Sequence, residues 1–254
     1  MSDTDLAIVT VDQQLWRVGF RPEPWACSDW KYAAEGGRFN GRWDDVHGQF
    51  RTVYAGDSLL ACLIEVLAKY RVDAPLADAL DQIFEDPADT EEYPARPPAF
   101  VSYRWLEDRC ASSARVHGSF CMVTATGTIS ALRPRFALLA HELGATDFDA
   151  AALKDSGPRD LTRSVASWLY QLTDPTVDGI QFRSRHGDDL PLWAIFERPS
   201  ADADVSPHSC RHRLGGTHSR NRRASRGVRH PRTGLVRLTL SGSEVNVSAC
   251  PRNH

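Results

Sequence analysis

Six polar residues of the chain belong to types that carry chemistry in proteins. Arginine guanidinium groups bind phosphates through paired hydrogen bonds and stay charged. A carboxylate can stabilise positive charge that develops on a sugar ring, and aromatic rings and hydroxyl groups orient substrates. The candidates are Arg17, Arg38, Arg42, Tyr54, Glu65 and Ser184.

Each candidate also has a purely structural interpretation. The arginines could pair with an acid on a neighbouring strand or lie as surface charges on a loop. The tyrosine could be an ordinary strand aromatic, and the serine could be a turn residue. Glu65 could form a solvent-facing pair with Lys69, four residues later on a helix, and such a pair contributes little stability. The residues taken singly do not separate these interpretations.

Strands, a loop and a helix are predicted to position the candidates. A short strand over residues 15–18 carries Arg17, and a Gly-, Asn- and Asp-rich loop over 34–51 presents the two other arginines. A β-branched and aromatic strand over 52–55 precedes a helix over 58–70. A late strand over 179–184 places its serine at the strand end.

The helix over 58–70 is the most strongly patterned element. Leu59, Leu60, Leu63, Ile64, Val66 and Leu67 form one apolar sector, and Glu65 lies opposite, with Lys69 and small residues as neighbours. The pattern therefore predicts that Glu65 projects away from the apolar stripe, from a surface of little side-chain bulk.

The remaining pattern mixes helices with strands. Residues 71–98, rich in acids and prolines, are predicted to form a loop with a short helix. Strands are predicted over 100–105, 119–123 and 192–197, and helices over 134–143 and from Asp160 to about residue 172. The fold class that follows is α+β, a single compact mixed α/β domain over residues 1–199.

Charge divides the chain into two parts. The net charge of −3 over 254 residues combines a body (1–199) with 20 Lys+Arg against 30 Asp+Glu and a tail (200–254) with 10 Arg against 3 acids. The tail, rich in Arg, Ser and His, is predicted to be mostly disordered, with one lone strand over 235–240. Its positive charge leaves nucleic-acid binding open for the tail alone.

Several classes of protein are excluded or disfavoured. No apolar run is long enough for a membrane helix, and the acidic N-terminus is unlike a secretory signal. P-loop, nucleophile-elbow and zincin motifs are absent. The six cysteines form no C-x-x-C pair, and the spacing of His208, Cys210 and His212 lacks four structural-zinc ligands. Reduced thiols in a cytoplasmic protein without a metal are therefore expected.

Taken together, the short motifs resemble the RES domain family, named for its Arg, Glu and Ser. Trp16-Arg17-Val18 matches its first strand, and Glu65 follows Tyr54 by eleven residues, as in the family. The late strand 179–184 and the final strand 193–197 complete the order, so the resemblance covers about residues 14–198. The Arg loop matches twice, at Arg42-Trp43-Asp44 and at Arg38-Phe39-Asn40; the spacing to Tyr54 favours Arg42, with Arg38 as the alternative.

The resemblance implies an enzyme that destroys NAD⁺, with a fold similar to ADP-ribosylating toxins. RES domains act as toxins that cleave the nicotinamide–ribose bond by hydrolysis or phosphorolysis, and a helix-turn-helix Xre-type antitoxin blocks them. NAD⁺ would be the substrate, inorganic phosphate an alternative acceptor, and no true cofactor is implied. Arg42, Tyr54, Glu65 and Ser184 would be catalytic.

The resemblance also implies a role for each residue. Arg17 and Arg42, or Arg38 in its place, would bind the pyrophosphate, and Glu65 would stabilise the ribose cation. Tyr54 would stack on or hydrogen-bond beside the ribose, and Ser184 would bind the nicotinamide amide or a ribose hydroxyl. Two other functions remain open: transfer of ADP-ribose to a protein acceptor, and nucleic-acid binding through the basic tail.

Overall fold

In the computed structural model, the described residues are 6–71, 100–198 except 156 and 158, and three strands within 204–249. The strands are β1 (Ile8–Phe20), β2 (Thr52–Gly56), β3 (Phe100–Ser102), β4 (Arg109–Met122), β5 (Gly179–Ser184), β6 (Gly187–Phe196), β7 (Asp204–Arg213), β8 (Leu235–Ser241) and β9 (Glu244–Ala249). The helices are α1 (Leu59–Leu67), α2 (Tyr103–Glu107), α3 (Thr126–Glu142), α4 (Ala150–Lys154) and α5 (Asp160–Gln171). The predicted mixed α/β class is confirmed, whereas the likeness to ADP-ribosylating toxins stays a prediction.

Five of the strands pair in a closed ring. β1 runs antiparallel to β4 along its whole length, from Ile8 opposite Cys121 to Phe20 opposite Arg109. β4 pairs in parallel with β5, β5 pairs with β6 and β6 pairs with β2. β2 returns to β1 through Trp16 opposite Gly56. The strands that carry Arg17, Tyr54 and Ser184 are thereby brought into one ring.

Helix α1 begins at a cap and is buried on two sides. The Ser58 hydroxyl accepts a hydrogen bond from the Ala61 N–H at 3.2 Å, as an N-cap residue does. Leu63 and Leu67 are buried as the apolar stripe predicts, but Ala61 and Cys62 on the Glu65 side are buried too. The small residues therefore let the helix lie close to the sheet on the Glu65 side.

The strand predicted over 100–105 and the helix predicted over 134–143 differ from the structure in type or in start. The strand predicted over 100–105 ends at Ser102, whose hydroxyl accepts from the Trp105 N–H at 3.2 Å and caps α2. The helix predicted from residue 134 begins at Thr126, with Pro134 inside it. The buried Thr128 hydroxyl accepts from the Ala7 N–H at 2.9 Å and ties the first turn to the sheet, which a pattern of side chains does not reveal.

The main core lies between the strand ring and the helices α3 and α5. Leu132 and Phe136 of α3 meet Val165 and Leu169 of α5, with Ile180 of β5 beneath them. The helix predicted from Asp160 and its buried face are confirmed. A smaller core joins α1 to α2 and β3. The main core thus anchors β5, and the smaller core anchors α1.

Three strands lie in the segment that was predicted to be a disordered tail. β7 pairs with β4, while β8 pairs with β3 and β9 and forms a second sheet with them. The strand predicted over 235–240 is thus confirmed, although it is not alone. The rest of the tail, and the predicted loop over 72–98, lie outside the described residues. Within the described residues there is no helix long and apolar enough to cross a membrane.

Candidate active site

A cleft of about 490 Å³ opens beside the strand ring, between β1, β2, α1 and the turn after β5. Apolar groups and one cysteine form part of its wall, and polar side chains from six separate parts of the chain converge on it. Four of the six candidates, namely Arg17, Arg42, Tyr54 and Glu65, lie in its lining. Ser184 lies directly behind the wall, bonded to one of them.

Glu65 and Ser184 form a hydrogen-bonded pair although 119 residues separate them in the chain. The Ser184 hydroxyl donates to Glu65 Oε1 and accepts from the His186 N–H at 3.0 Å. Ser184 is only 1 % exposed, so its hydroxyl is held in place by packing. Among the described ion pairs there is no Glu65–Lys69 pair, which removes the alternative of a solvent-facing helix pair.

Arg17 is fixed by backbone carbonyl groups on both sides. Its Nε donates to the Pro24 carbonyl at 2.5 Å, and its Nη1 donates to the Tyr54 carbonyl at 2.8 Å. Burial lowers the pKa of the Arg17 guanidinium below its ordinary value, because the charged form is desolvated. The alternative in which Arg17 pairs with an acid on the next strand is not observed among the described ion pairs.

The loop that carries Arg42 is fastened by helices α4 and α5. Arg42 Nη1 donates to the Leu153 carbonyl at 2.8 Å, and the Arg42 carbonyl accepts from the Thr162 hydroxyl at 2.7 Å. Arg163 donates to the Phe39 carbonyl at 3.0 Å. Burial lowers the pKa of Arg42, whereas the negative charge of Glu65 acts in the opposite direction. The Arg42 side chain therefore reaches the cleft from a loop held at several points.

Tyr54 contributes its ring to the cleft, but its hydroxyl is engaged within the protein. The hydroxyl donates to Asp44 Oδ1 at 2.9 Å and accepts from the Trp43 N–H at 2.8 Å. Burial raises the pKa of Tyr54 well above its ordinary value, and the Asp44 carboxylate raises it further. Of the two roles predicted for Tyr54, the structure leaves stacking available.

The structure separates the two candidate arginines of the loop. Arg38 follows a 3₁₀ turn, is exposed and does not line the cleft, whereas Arg42 does. Sequence spacing to Tyr54 favoured Arg42, and the geometry agrees with that choice. A binding role for Arg38 has no support in the cleft.

Several cleft residues were missed by the sequence analysis. Lys69, Arg159, Arg185 and His186 all line the cleft. Burial lowers the pKa of His186, and the negative charge of Glu65 acts in the opposite direction. The positive charges of Arg71, Arg185 and Arg42 lower the pKa of His186 further. Arg185 and His186 directly follow Ser184, so their position could have been noticed, whereas Arg159 had no such signal.

The charge of the cleft is strongly positive. Five basic residues line it against one acid, Glu65, although the body of the chain is acidic. Arg42 lies near enough to Arg159 and Arg185 for their charges to lower its pKa. Among the described ion pairs none of these five basic side chains meets a carboxylate. Unpaired guanidinium groups held together in a cleft are suited to an anionic ligand.

A family model of the RES domain matches residues 14–215, which is most of the chain. The chain belongs to the RES domain family. The match runs beyond the expected end near residue 198 and includes β7. No curated protein matches the chain significantly. Among solved structures, this RES domain is similar to a chain of the M. tuberculosis MbcT–MbcA toxin–antitoxin complex, with 16 % identity, coverage of 77 % of this chain and 83 % of that one, and a TM-score of 0.33.

The polar groups of this RES domain suit an anionic substrate with a cationic reaction centre. Guanidinium groups supply positive charge for phosphates, and a single carboxylate, oriented by a buried serine, faces the same space. Among the described residues there is no cluster of His, Cys, Asp and Glu suited to a metal ion. The side chains of residues 204–213, which include the His208–His212 stretch, lie outside the described part.

Proposed function

We propose that this RES domain cleaves the nicotinamide–ribose bond of NAD⁺. The observation that carries the proposal is the pairing of Glu65 with buried Ser184 in a cleft whose other charged groups are all basic. NAD⁺ has the matching distribution of charge, with an anionic pyrophosphate beside a ribose that becomes cationic as the bond breaks.

The pyrophosphate is assigned to Arg17 and Arg42. Both guanidinium groups are desolvated, and neither has a carboxylate partner among the described ion pairs. A guanidinium that has lost part of its hydration gains most from a phosphate, which it binds with two parallel hydrogen bonds. Arg159 and Arg185 add to the same positive field.

Glu65 is assigned to the reacting ribose. Departure of nicotinamide leaves an oxocarbenium-like ribose, and a fixed carboxylate stabilises that charge without having to reorganise. Ser184 keeps the carboxylate in one orientation through its hydroxyl. Nicotinamide leaves as a neutral molecule, so the step needs no strong general acid. The Tyr54 ring forms an adjoining wall on which a flat group can stack.

The acceptor that we propose is water or inorganic phosphate. Water would give ADP-ribose, whereas phosphate would give a phosphorylated ADP-ribose, and chromatography with phosphorus detection separates the two. Transfer to a protein instead would leave labelled ADP-ribose on a macromolecule. The assay with labelled NAD⁺ therefore distinguishes all three acceptors.

We further propose that the domain acts as a toxin paired with an Xre-type antitoxin, as the resemblance to characterised RES domains implies. Induced expression in a bacterial host should deplete cellular NAD⁺ and stop growth, and coexpression of a helix-turn-helix protein encoded beside the gene should restore both. A matched strain that expresses the Glu65→Gln variant should grow normally. Growth arrest with an unchanged NAD⁺ pool would contradict the proposal.

A further inference from the structure

A buried acid, Asp44, lies in the same loop as the cleft residue Arg42. Asp44 is 4 % exposed, lies two residues after Arg42 and forms no ion pair among the described residues. Burial raises the pKa of Asp44, although hydrogen bonds from Tyr54 and Gly41 and the charges of Arg163 and Arg159 act in the opposite direction. A desolvated carboxylate is costly for a fold, so its hydrogen bonds indicate what it does.

The two carboxylate oxygens of Asp44 hold two different elements. Oδ1 accepts from the Tyr54 hydroxyl at 2.9 Å, and Oδ2 accepts from the Gly41 N–H. The Tyr54 hydroxyl also accepts from the Trp43 N–H at 2.8 Å. The N–H groups of both neighbours of Arg42 are therefore bound to one Asp44–Tyr54 pair, and strand β2 is joined to the Arg42 loop.

Gly41 shows how tightly the loop closes over this pair. A Cβ atom at residue 41 would lie 2.6 Å from each carboxylate oxygen of Asp44, and it would also collide with the Tyr54 hydroxyl. Real Cβ atoms do not approach polar atoms so closely, so the closure requires a glycine. The need for glycine at residue 41 is a second, independent sign that the turn is closed tightly against the Asp44–Tyr54 pair.

The hydroxyl of Tyr54 has no remaining proton for a substrate. Its single O–H donates to Asp44, while the Trp43 N–H occupies an acceptor position. The Tyr54 carbonyl holds Arg17 at 2.8 Å. Tyr54 therefore links Arg17, through its backbone carbonyl, with the Arg42 loop, through its side-chain hydroxyl.

We propose that Asp44 is a positioning residue, which together with the Tyr54 hydroxyl fixes the Arg42 loop so that the guanidinium faces the phosphates of the ligand. The proposal rests on the proposed function only for the identity of the substrate. Asp44 acts through Arg42 and does not touch the reacting atoms. Asn at this position retains one acceptor oxygen but presents an N–H₂ donor to either Gly41 or Tyr54, which are themselves donors.

The test is a double-mutant cycle between Asp44 and Arg42, measured as binding of inorganic pyrophosphate by calorimetry and as KM and kcat for NAD⁺. Asp44→Asn should weaken pyrophosphate binding and raise KM by about 10- to 100-fold, because a displaced guanidinium loses its paired contacts. In an Arg42→Gln background the same change should have no further effect, since the group on which it acts is gone. Gly41→Ala keeps Asp44 in the chain but forces a Cβ against its carboxylate and the Tyr54 hydroxyl, so it should reproduce the loss.

The matched control is Asp45→Asn. Asp45 is the adjacent buried acid, and its carboxylate accepts from the Gln49 N–H at 2.5 Å rather than from Gly41 or Tyr54. This variant should leave pyrophosphate binding within about twofold of wild type, even where it lowers the melting temperature. A loss equal to that of Asp44→Asn would mean that any disturbance of the loop suffices, and it would overturn the proposal.

The outcomes distinguish a failure of the Asp44 positioning role from a failure of the proposed NAD⁺ cleavage. Additive effects of Asp44→Asn and Arg42→Gln, or a wild-type protein that does not bind pyrophosphate, would overturn the positioning role. Coupled effects on pyrophosphate binding without any NAD⁺ turnover would support the positioning role and refute the proposed reaction. If Asp44→Asn fails to fold, the double-mutant cycle between Gly41→Ala and Arg42→Gln is measured in its place. Coupled effects would then support the positioning role, and additive effects would overturn it.

Discussion

Replacing Glu65 by Gln should stop turnover while leaving the protein folded. Glu65 is half-buried, and its hydrogen bond comes from the Ser184 hydroxyl. The amide oxygen of Gln can accept the same bond, and the side chain keeps its length. The substitution therefore removes the charge of the carboxylate with little change in shape.

The structure gives the expected size of the change in stability and of the change in turnover. Because the hydrogen bond from Ser184 is retained, the free energy of unfolding should change by less than about 1 kcal/mol. In the proposed reaction the Glu65 charge faces the developing ribose cation, so its removal should lower kcat by about 10² to 10³-fold, equivalent to about 2.7–4 kcal/mol. The net charge of the cleft lining rises from +4 to +5 when its single acid is neutralised. Binding of an anionic substrate should not weaken, so KM should not rise.

The assay follows nicotinamide release from NAD⁺ by chromatography, together with thermal unfolding of each variant. The expected pattern is a kcat reduced at least about 100-fold with an unchanged or lower KM and a nearly unchanged melting temperature. A Glu65→Gln variant that keeps kcat within about tenfold of wild type would refute the catalytic assignment. An unfolded variant would show instead that Glu65 serves the fold.

Three further predictions concern Ser184, Arg17 and Asp44. Ser184→Ala frees the Glu65 carboxylate to turn, so kcat in the same assay should fall about tenfold, and an unchanged kcat would contradict the orienting role. Arg17→Gln should lower the free energy of unfolding in urea by about 2 kcal/mol, because two buried carbonyl groups lose their donor; equal stability would show that these bonds contribute nothing. Burial holds the pKa of Asp44 above its ordinary value of about 3.9. The folded protein therefore binds the Asp44 proton more tightly than the unfolded chain does. As the pH rises through the native pKa of Asp44, the free energy of unfolding of wild type should fall relative to that of Asp44→Asn. A difference in unfolding free energy between the two proteins that stays constant with pH, measured by urea denaturation, would contradict this.

The elements with strong local patterns could be predicted from the sequence. Helix α1 and helix α5 have continuous apolar periods and clear starts, and strands β2 and β5 are short runs bounded by glycine or polar turns. Tertiary contacts decided the others. Strand β4 begins at Arg109, ten residues before the predicted start, because its polar first half pairs with β1 along the full length. Such pairing depends on a partner about 100 residues away and leaves little trace in the local composition.

The site could be predicted in its residue types but not in its connections. The helix pattern predicted that Glu65 projects away from the apolar stripe, but its contact with Ser184 depends on the closed strand ring. Tyr54 was expected to stack on the ribose or to hydrogen-bond beside it, and its hydroxyl is bound to Asp44, a residue that the family motif contains but that received no role. Arg159 lies directly before α5 and lines the cleft, and its guanidinium donates to the Asn40 carbonyl of the loop, a contact that no local pattern reveals.

The most direct test of the central claim is nicotinamide release by the purified wild-type protein, freed of any bound antitoxin. With NAD⁺ and inorganic phosphate present, one nicotinamide should appear for each NAD⁺ consumed, together with ADP-ribose or its phosphorylated form. An NAD⁺ pool that stays intact over a long incubation with folded protein would contradict the assignment of this cleft to NAD⁺ cleavage.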